Sequence, residues 1–201
     1  MMKFFSTKNM VILILASALF AVSFMCIALL SRKPEQTEGG DNIEIERKYL
    51  IDSSSLPEDV IARADKFDLV QTYINYSPEI RVRKVDGVYF YFTMKLPKDT
   101  IGLSREEIEL RITEAEYDEL VKKQVGNTIL KIRYQFYESG SLVAMDIYLD
   151  KLDGLAVAEV EFESVEQSES YTPPSWFGEE VTSDKRYKNA NLAKDGMPQD
   201  N

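Results

Sequence analysis

With 201 residues, 44% of them hydrophobic and 29% charged, the chain has room for one well-cored domain plus an appendage. It contains no histidine, which excludes Ser-His-Asp triads, Cys-His pairs and HExxH zinc sites, and its single cysteine, Cys26, excludes an intrachain disulfide or a CxxC motif. Residues 1–40 carry four basic and two acidic side chains, so the net charge of −10 leaves −12 on the rest, a field that repels nucleic acid and anionic lipid.

Residues 1–9 form a short flank with Lys3 and Lys8. Met10 to Leu30 then runs 21 residues without a charge. At about 1.5 Å per residue such a helix matches a hydrocarbon core of roughly 30 Å, and a single transmembrane anchor is expected at 10–30. A cleaved signal peptide is the alternative, since Ala21-Val22-Ser23 offers small residues to a peptidase, but the apolar run continues past them. Lysines precede the run and Arg32-Lys33 follow it, so the charge bias leaves open which side of the membrane holds the body. Residues 31–42, SRKPEQTEGGDN, read as a flexible tether.

From Ile43 onward, eight β-type runs follow: IEIERKYLI, LVQTYIN, EIRVRKV, VYFYFTMKL, SREEIELRI, ILKIRYQFY, LVAMDIYLD and LAVAEVEFE. Asp86-Gly87, Ser139-Gly140 and Asp153-Gly154 sit between such runs and signal antiparallel hairpins. Between the fifth and sixth runs, TEAEYDELVKKQ opens with a capping box, Thr113 to Glu116, and predicts an amphipathic helix lying on the sheet. Shorter helices are expected at Leu56–Ala64 and near Tyr187–Lys194. The body runs over 43–194, with a tail at 195–201.

Because a strand points alternate side chains to opposite faces, each run splits by parity into two sets. Glu44, Glu46 and Lys48 alternate with Ile45, Arg47 and Tyr49, and Arg81 and Arg83 alternate with Ile80 and Val82. Thr93 and Lys95 oppose Phe92 and Met94, while Arg105, Glu107 and Glu109 oppose Ile108 and Leu110. Lys131 and Arg133, Asp146, and Glu159 and Glu161 continue the pattern. A solvated outer face is the ordinary reading of one such strand. Here the signs are segregated by strand, and the helix after the fifth run needs an apolar surface beneath it. The charged sets therefore face inward, around an interior wide enough for one small ligand. Burying that much unpaired charge costs several kcal/mol per ion, so the interior is wet and ligand-filled. The expected fold is mainly β (α+β): an eight-stranded antiparallel β-barrel or tunnel with covering helices, preceded by one transmembrane helix. Carboxylate pairs at i, i+2 suit Mg²⁺ or Mn²⁺, and arginine and lysine pairs suit phosphate oxygens.

EIERK, Glu44 to Lys48, resembles the ExExK signature of the CYTH superfamily, the triphosphate tunnel metalloenzymes of short single-domain bacterial type. RVR, TMK, REEIE, KIRY, MDIYLDKLDGLAVAEVEF and EEVTSDKRYKNANLA resemble the family's further motifs in order, over Ile43 to Lys194. The resemblance implies metal ligands at Glu44, Glu46, Glu159 and Glu161, helped by Glu107, Glu109 and Asp146. It implies a triphosphate-binding set of Lys48, Arg81, Arg83, Lys95, Arg105, Lys131 and Arg133, with Lys185 and Arg186 on the segment that closes the tunnel. Glu44, Glu46, Lys48 and Lys95 are the expected catalytic residues. The implied reaction is Mg²⁺- or Mn²⁺-dependent hydrolysis of inorganic tripolyphosphate or a related triphosphate. An adenylate cyclase and a non-catalytic polyphosphate or nucleotide sensor are the alternatives. No base-holding run is assigned: the loop PKDTIG is short, and the aromatics of VYFYF lie partly on the outward parity.

Overall fold

The computed structural model describes residues 45–97 and 105–199. Nine strands form one antiparallel sheet: β1 (Ile45–Ile51), β2 (Asp65–Tyr76), β3 (Glu79–Val85), β4 (Tyr89–Pro97), β5 (Arg105–Ile112), β6 (Ile129–Glu138), β7 (Ser141–Tyr148), β8 (Ala156–Phe162) and β9 (Phe177–Glu180). Their order across the sheet is β5-β4-β3-β2-β6-β7-β8-β1-β9. Two hairpin turns follow from their dipeptides. Asp86 and Gly87 have φ of 52° and 71°, and Ser139 and Gly140 have 51° and 83°, the left-handed pair whose twist matches the flanking strands. Asp86 also ties its turn to β2, accepting from the Asp68 amide at 2.8 Å and donating to the Asp68 carbonyl at 2.9 Å.

Two expectations are corrected. The sheet is open, with nine strands in place of an eight-stranded closed barrel. Closure would need β1 to pair with β5, but the outer edge of β1 is taken by β9, in an irregular register that joins Tyr49 to Glu180 and Ile51 to Phe177. With β9 only four residues long, the sheet ends there, and β5 is the other edge. The transmembrane helix and the single-pass membrane location are not supported either: among the described residues no helix is long and apolar enough to cross a membrane. Residues 10–30, on which that expectation fell, lie outside the described residues.

Among the described residues four α-helices accompany the sheet: α1 (Glu58–Arg63), α2 (Glu114–Val121), α3 (Val165–Ser170) and α4 (Asn189–Asp195). The expected capping box starts α2: the Thr113 hydroxyl accepts from the Glu116 amide, and the Glu116 carboxylate accepts from the Thr113 amide at 2.7 Å. Its buried face sets Tyr117 against Phe90, ring centroids 5.2 Å apart, over Val82, Phe92 and Ile112. The apolar parities of β3 to β5 thus lie outward under a helix. On the other half of the sheet the outward set is Tyr49, Ile51, Phe136, Val143, Met145, Ala158, Val160 and Phe162, packed against Trp176, Phe177 and Tyr171.

The inner parity is polar and yet buried. Lys131 and Asp146 are 2% and 1% exposed, so the sheet curls over them. Antiparallel alternation brings the starts of β1, β2, β4 and β7 to one end of this face. The other end is plugged by Tyr73, Ile129, Tyr148, Leu152, Val157, Leu192 and Ala193, which bring in α4. That helix docks where the β5–β6 connection comes very close: the Asn127 amide donates to the Ala193 carbonyl at 2.7 Å. Gly126 beside it, at φ 66°, has room for no Cβ, which would sit 2.6 Å from the same carbonyl.

Candidate functional site

Strand register decides which charged side chains meet on the inner face. Between β1 and β8, Glu46 stands opposite Glu161 and Lys48 opposite Glu159. The second pair closes into an ion pair of 2.8 Å. Burial works to lower the Lys48 pKa, but Glu159 outweighs it and the ammonium is held above its usual value. Burial likewise works to raise Glu159, and Lys48 holds it below the usual carboxylate range. Glu46 and Glu161 are like charges directly opposed, an arrangement that repels unless a cation is shared between them.

One strand further on, β7 sets Asp146 opposite Arg133 of β6 and Tyr148 opposite Lys131. Lys131 Nζ donates to Asp146 Oδ2 at 2.5 Å, and Arg133 donates through Nε and Nη2 at 2.7 Å each. The carboxylate is thereby held at about 2: burial pushes it up, but the two cations outweigh burial. Lys131 falls to about 8, because burial, with Arg133 nearby, costs its ammonium more than Asp146 returns. Arg133 also reaches Glu159 at 3.4 Å. Two cations and one fully occupied carboxylate leave this buried group with net positive charge.

The other half of the face is built on β3, β4 and β5. Thr93 stands opposite Arg81 and Glu109, and Lys95 opposite Glu79 and Glu107. Lys95 pairs with Glu107 at 2.8 Å, Arg83 pairs with Glu109, and the Thr93 hydroxyl donates to Glu109 at 3.1 Å. Arg81 reaches Glu79 and Glu107 only at 4.0 Å. Glu107 is held below its usual pKa, burial being outweighed by Lys95 and Arg81. Arg83 is lowered, first by burial and then by the charge of Arg81. Among the described residues, the Nε–H groups of both Arg81 and Arg83 are buried without a hydrogen-bond partner. A buried unsatisfied donor on a charged group is costly, and two of them side by side on one strand are what an anion's oxygens would satisfy.

The structure thus brings together Lys48, Arg81, Arg83, Lys95, Lys131 and Arg133 on one face, interleaved with Glu46, Glu107, Glu109, Asp146, Glu159 and Glu161. Arg105 opens β5, in register with Pro97, and Glu44 lies outside the described residues. Lys185 and Arg186 lie in a 3₁₀ turn and are exposed; Arg186 is bonded to Asp184 and to the Gln199 carbonyl, each at 2.7 Å. Two participants escaped the parity argument. Tyr73, wholly buried, accepts from Gln71 at 2.9 Å and lies beside Arg81, in a run, Leu69 to Asn75, that holds no formal charge. Tyr148 donates to Asn189 at 2.7 Å and so ties α4 to the Lys131 group. The i, i+2 spacing of Asp146 and Tyr148 was the available signal for the latter.

Among the described residues no group of three or more Asp, Glu, His or Cys is arranged to hold a metal ion. Asp146, Glu159, Glu107 and Glu109 each have lysine or arginine as direct partners. Opposed Glu46 and Glu161 also carry oxygen donors of the kind a hard cation takes.

A CYTH domain family model matches residues 42–196. The chain is 36% identical over 151 residues to an inorganic triphosphatase of Nitrosomonas europaea, an alignment spanning 75% of this chain and 96% of that one. To an inorganic triphosphatase of Acetivibrio thermocellus it is 32% identical over 156 residues, spanning 75% and 93%. A solved crystal structure of an inorganic triphosphatase superposes with a TM-score of 0.60 at 33% identity, covering 77% of this chain and 97% of that one.

Proposed function

We propose that this chain, which belongs to the CYTH domain family, is a divalent-metal-dependent triphosphatase that hydrolyses inorganic tripolyphosphate. The reading is carried by one observation: Arg81 and Arg83 stand side by side on β3, each with a buried Nε–H donor that finds no acceptor among the described residues. The names of relatives at 36% and 32% identity support it. The catalytic body is 43–194.

In this reading Lys48, Arg81, Arg83, Lys95, Arg105, Lys131 and Arg133 receive the phosphate oxygens, and Lys185 and Arg186 approach from the rim. Glu44, Glu46 and Glu161 would hold Mg²⁺ or Mn²⁺, which when bound neutralises phosphoryl charge and makes water more acidic. Glu107, Glu109, Asp146 and Glu159 keep the lysines and arginines aligned. Pre-aligned cations lower the barrier because charge on the transferring phosphoryl group meets them without reorganisation. A water oxygen attacks a terminal phosphorus in line, the bridging P–O bond breaks, and pyrophosphate leaves with phosphate as the second product. Lys95 and Lys48 stabilise the departing oxygens, and the proton from water passes to solvent.

The test is a phosphate-release screen with tripolyphosphate, thiamine triphosphate and ATP, each with Mg²⁺ and Mn²⁺. Tripolyphosphate is expected to turn over fastest, and Glu44→Gln with Glu46→Gln to abolish turnover. Cyclic AMP and pyrophosphate from ATP would replace the hydrolase with a cyclase, and tight binding without turnover would replace it with a sensor.

A further inference from the structure

The inner face is not charged along its whole length. The run Tyr89-Phe90-Tyr91-Phe92 splits by parity: Phe90 and Phe92 pack outward with α2, whereas Tyr89 and Tyr91 share the parity of Thr93 and Lys95. Neither tyrosine belongs to an apolar core cluster. Tyr91 stands opposite Arg83 on one side and Arg111 on the other. Tyr89 is 38% exposed, stands opposite Val85, and lies under the Arg111 guanidinium, 5.1 Å from its ring centroid. Two phenol rings and a stacked guanidinium therefore continue the Arg81, Arg83 and Lys95 row toward the end of the face away from the α4 plug.

From this placement we infer that Tyr89, Tyr91 and Arg111 form a stacking shelf for the planar ring of an organic triphosphate. The inference rests on the triphosphatase reading and adds a second substrate class to it. Residues two apart on a strand are about 7 Å apart. Tyr91 and Tyr89 therefore lie roughly 7 and 14 Å along the strand from Thr93, where the sugar and base follow phosphates seated on the arginines. The plugged end offers no such room, since its inner side chains are packed against Leu192 and Ala193. A longer inorganic polyphosphate fits the shelf less well, because it needs a cation at each step and Arg111 is a single one. Aromatic faces and guanidinium planes hold any base by stacking, without reading its edge, so the shelf favours ring over no ring and is tolerant of which ring.

Steady-state kinetics of the full chain with Mg²⁺ test this, using ATP, ribose 5-triphosphate and tripolyphosphate. The wild-type protein is expected to show a KM for ATP about tenfold below that for ribose 5-triphosphate, the factor that roughly 1.4 kcal/mol of base stacking supplies. Tyr89→Leu with Tyr91→Leu should remove that difference while leaving KM and kcat for tripolyphosphate within twofold, and Tyr91→Phe should preserve it. Equal KM values for ATP and ribose 5-triphosphate in the wild-type protein would overturn the shelf even if the leucine variant failed to fold. So would a leucine variant whose tripolyphosphate KM rises as much as its ATP KM. A wild-type protein that releases no phosphate from tripolyphosphate would instead remove the triphosphatase reading, and the shelf with it.

Discussion

Replacing Asp146 with asparagine isolates the electrostatics of the buried group. The substitution keeps the shape and removes one charge, leaving Lys131 and Arg133 facing a neutral amide whose NH₂ points a donor at one of them. Two routes give the size of the loss at neutral pH. Lowering the carboxylate from 3.8 to about 2 corresponds to roughly 2.5 kcal/mol of pairing. Orphaning a buried ion typically costs about 3–5 kcal/mol. For a domain of this size each kcal/mol moves the melting temperature by about 2–4 °C, so a fall of about 5–20 °C is expected at pH 7. Differential scanning calorimetry across pH adds a second constraint. Lys131 can relieve its isolation by releasing its proton, so the deficit of the variant should shrink as pH rises toward about 8, the wild-type Lys131 value, and level off above it, whereas Arg133 stays charged and keeps it above zero. A variant that melts within 2 °C of wild type at pH 7 would refute the assignment of Asp146 as the internal counterion.

Arg81→Gln is expected to cut tripolyphosphate turnover at least a hundredfold while shifting the melting temperature by less than about 2 °C, because its carboxylate partners lie at 4.0 Å and its loss relieves repulsion with Arg83. In the wild-type protein the Asp146 contribution to stability is present above pH 3.8 and lost as pH falls toward about 2, which acid unfolding will show as a sloping transition in that window. The Lys131 pKa is likewise depressed, to about 8, so the side chain is protonated below that value, and tripolyphosphate affinity measured by calorimetry should weaken as pH rises through it. Tyr148→Phe, which loses the 2.7 Å bond to Asn189, should cost about 1 kcal/mol and lower the melting temperature by a few degrees. Saturating tripolyphosphate with Mg²⁺ should raise the wild-type melting temperature by mass action.

The period-2 alternation of charge made most of the face legible from the amino-acid order, since parity needs no knowledge of tertiary structure. The outward placement of Val82, Phe92 and Val160 followed from the same reasoning. What alternation could not supply was pairing. Whether Glu161 meets Glu46 or Lys48 depends on register, and only register separates the opposed carboxylates from the Lys48–Glu159 ion pair. Tyr73 and Gln71 gave no signal because neither carries a formal charge, and the run Leu69 to Asn75 around them holds none. The ninth strand was missed because Phe177–Glu180 has no alternation long enough to register as a run; it exists because Phe177 packs against Tyr49, ring centroids 5.1 Å apart. Closure was overestimated for the same reason, since a count of runs does not reveal that the edge of β1 is already taken.

The exposed edge at β5 bears on how copies of this chain meet. Among the described residues this eight-residue strand pairs on one side only, and such an edge is a template for adding another strand, its own twin above all. Antiparallel self-pairing of β5 centred on Ile108, which overlaps seven of its eight residues, sets Glu107 of each copy against Glu109 of the other. Like charges directly opposite destabilise a strand pair, and here the same clash occurs twice. The carboxylates that sit beside Lys95 and Arg83 within one molecule thereby also discourage two molecules from zipping together in that register.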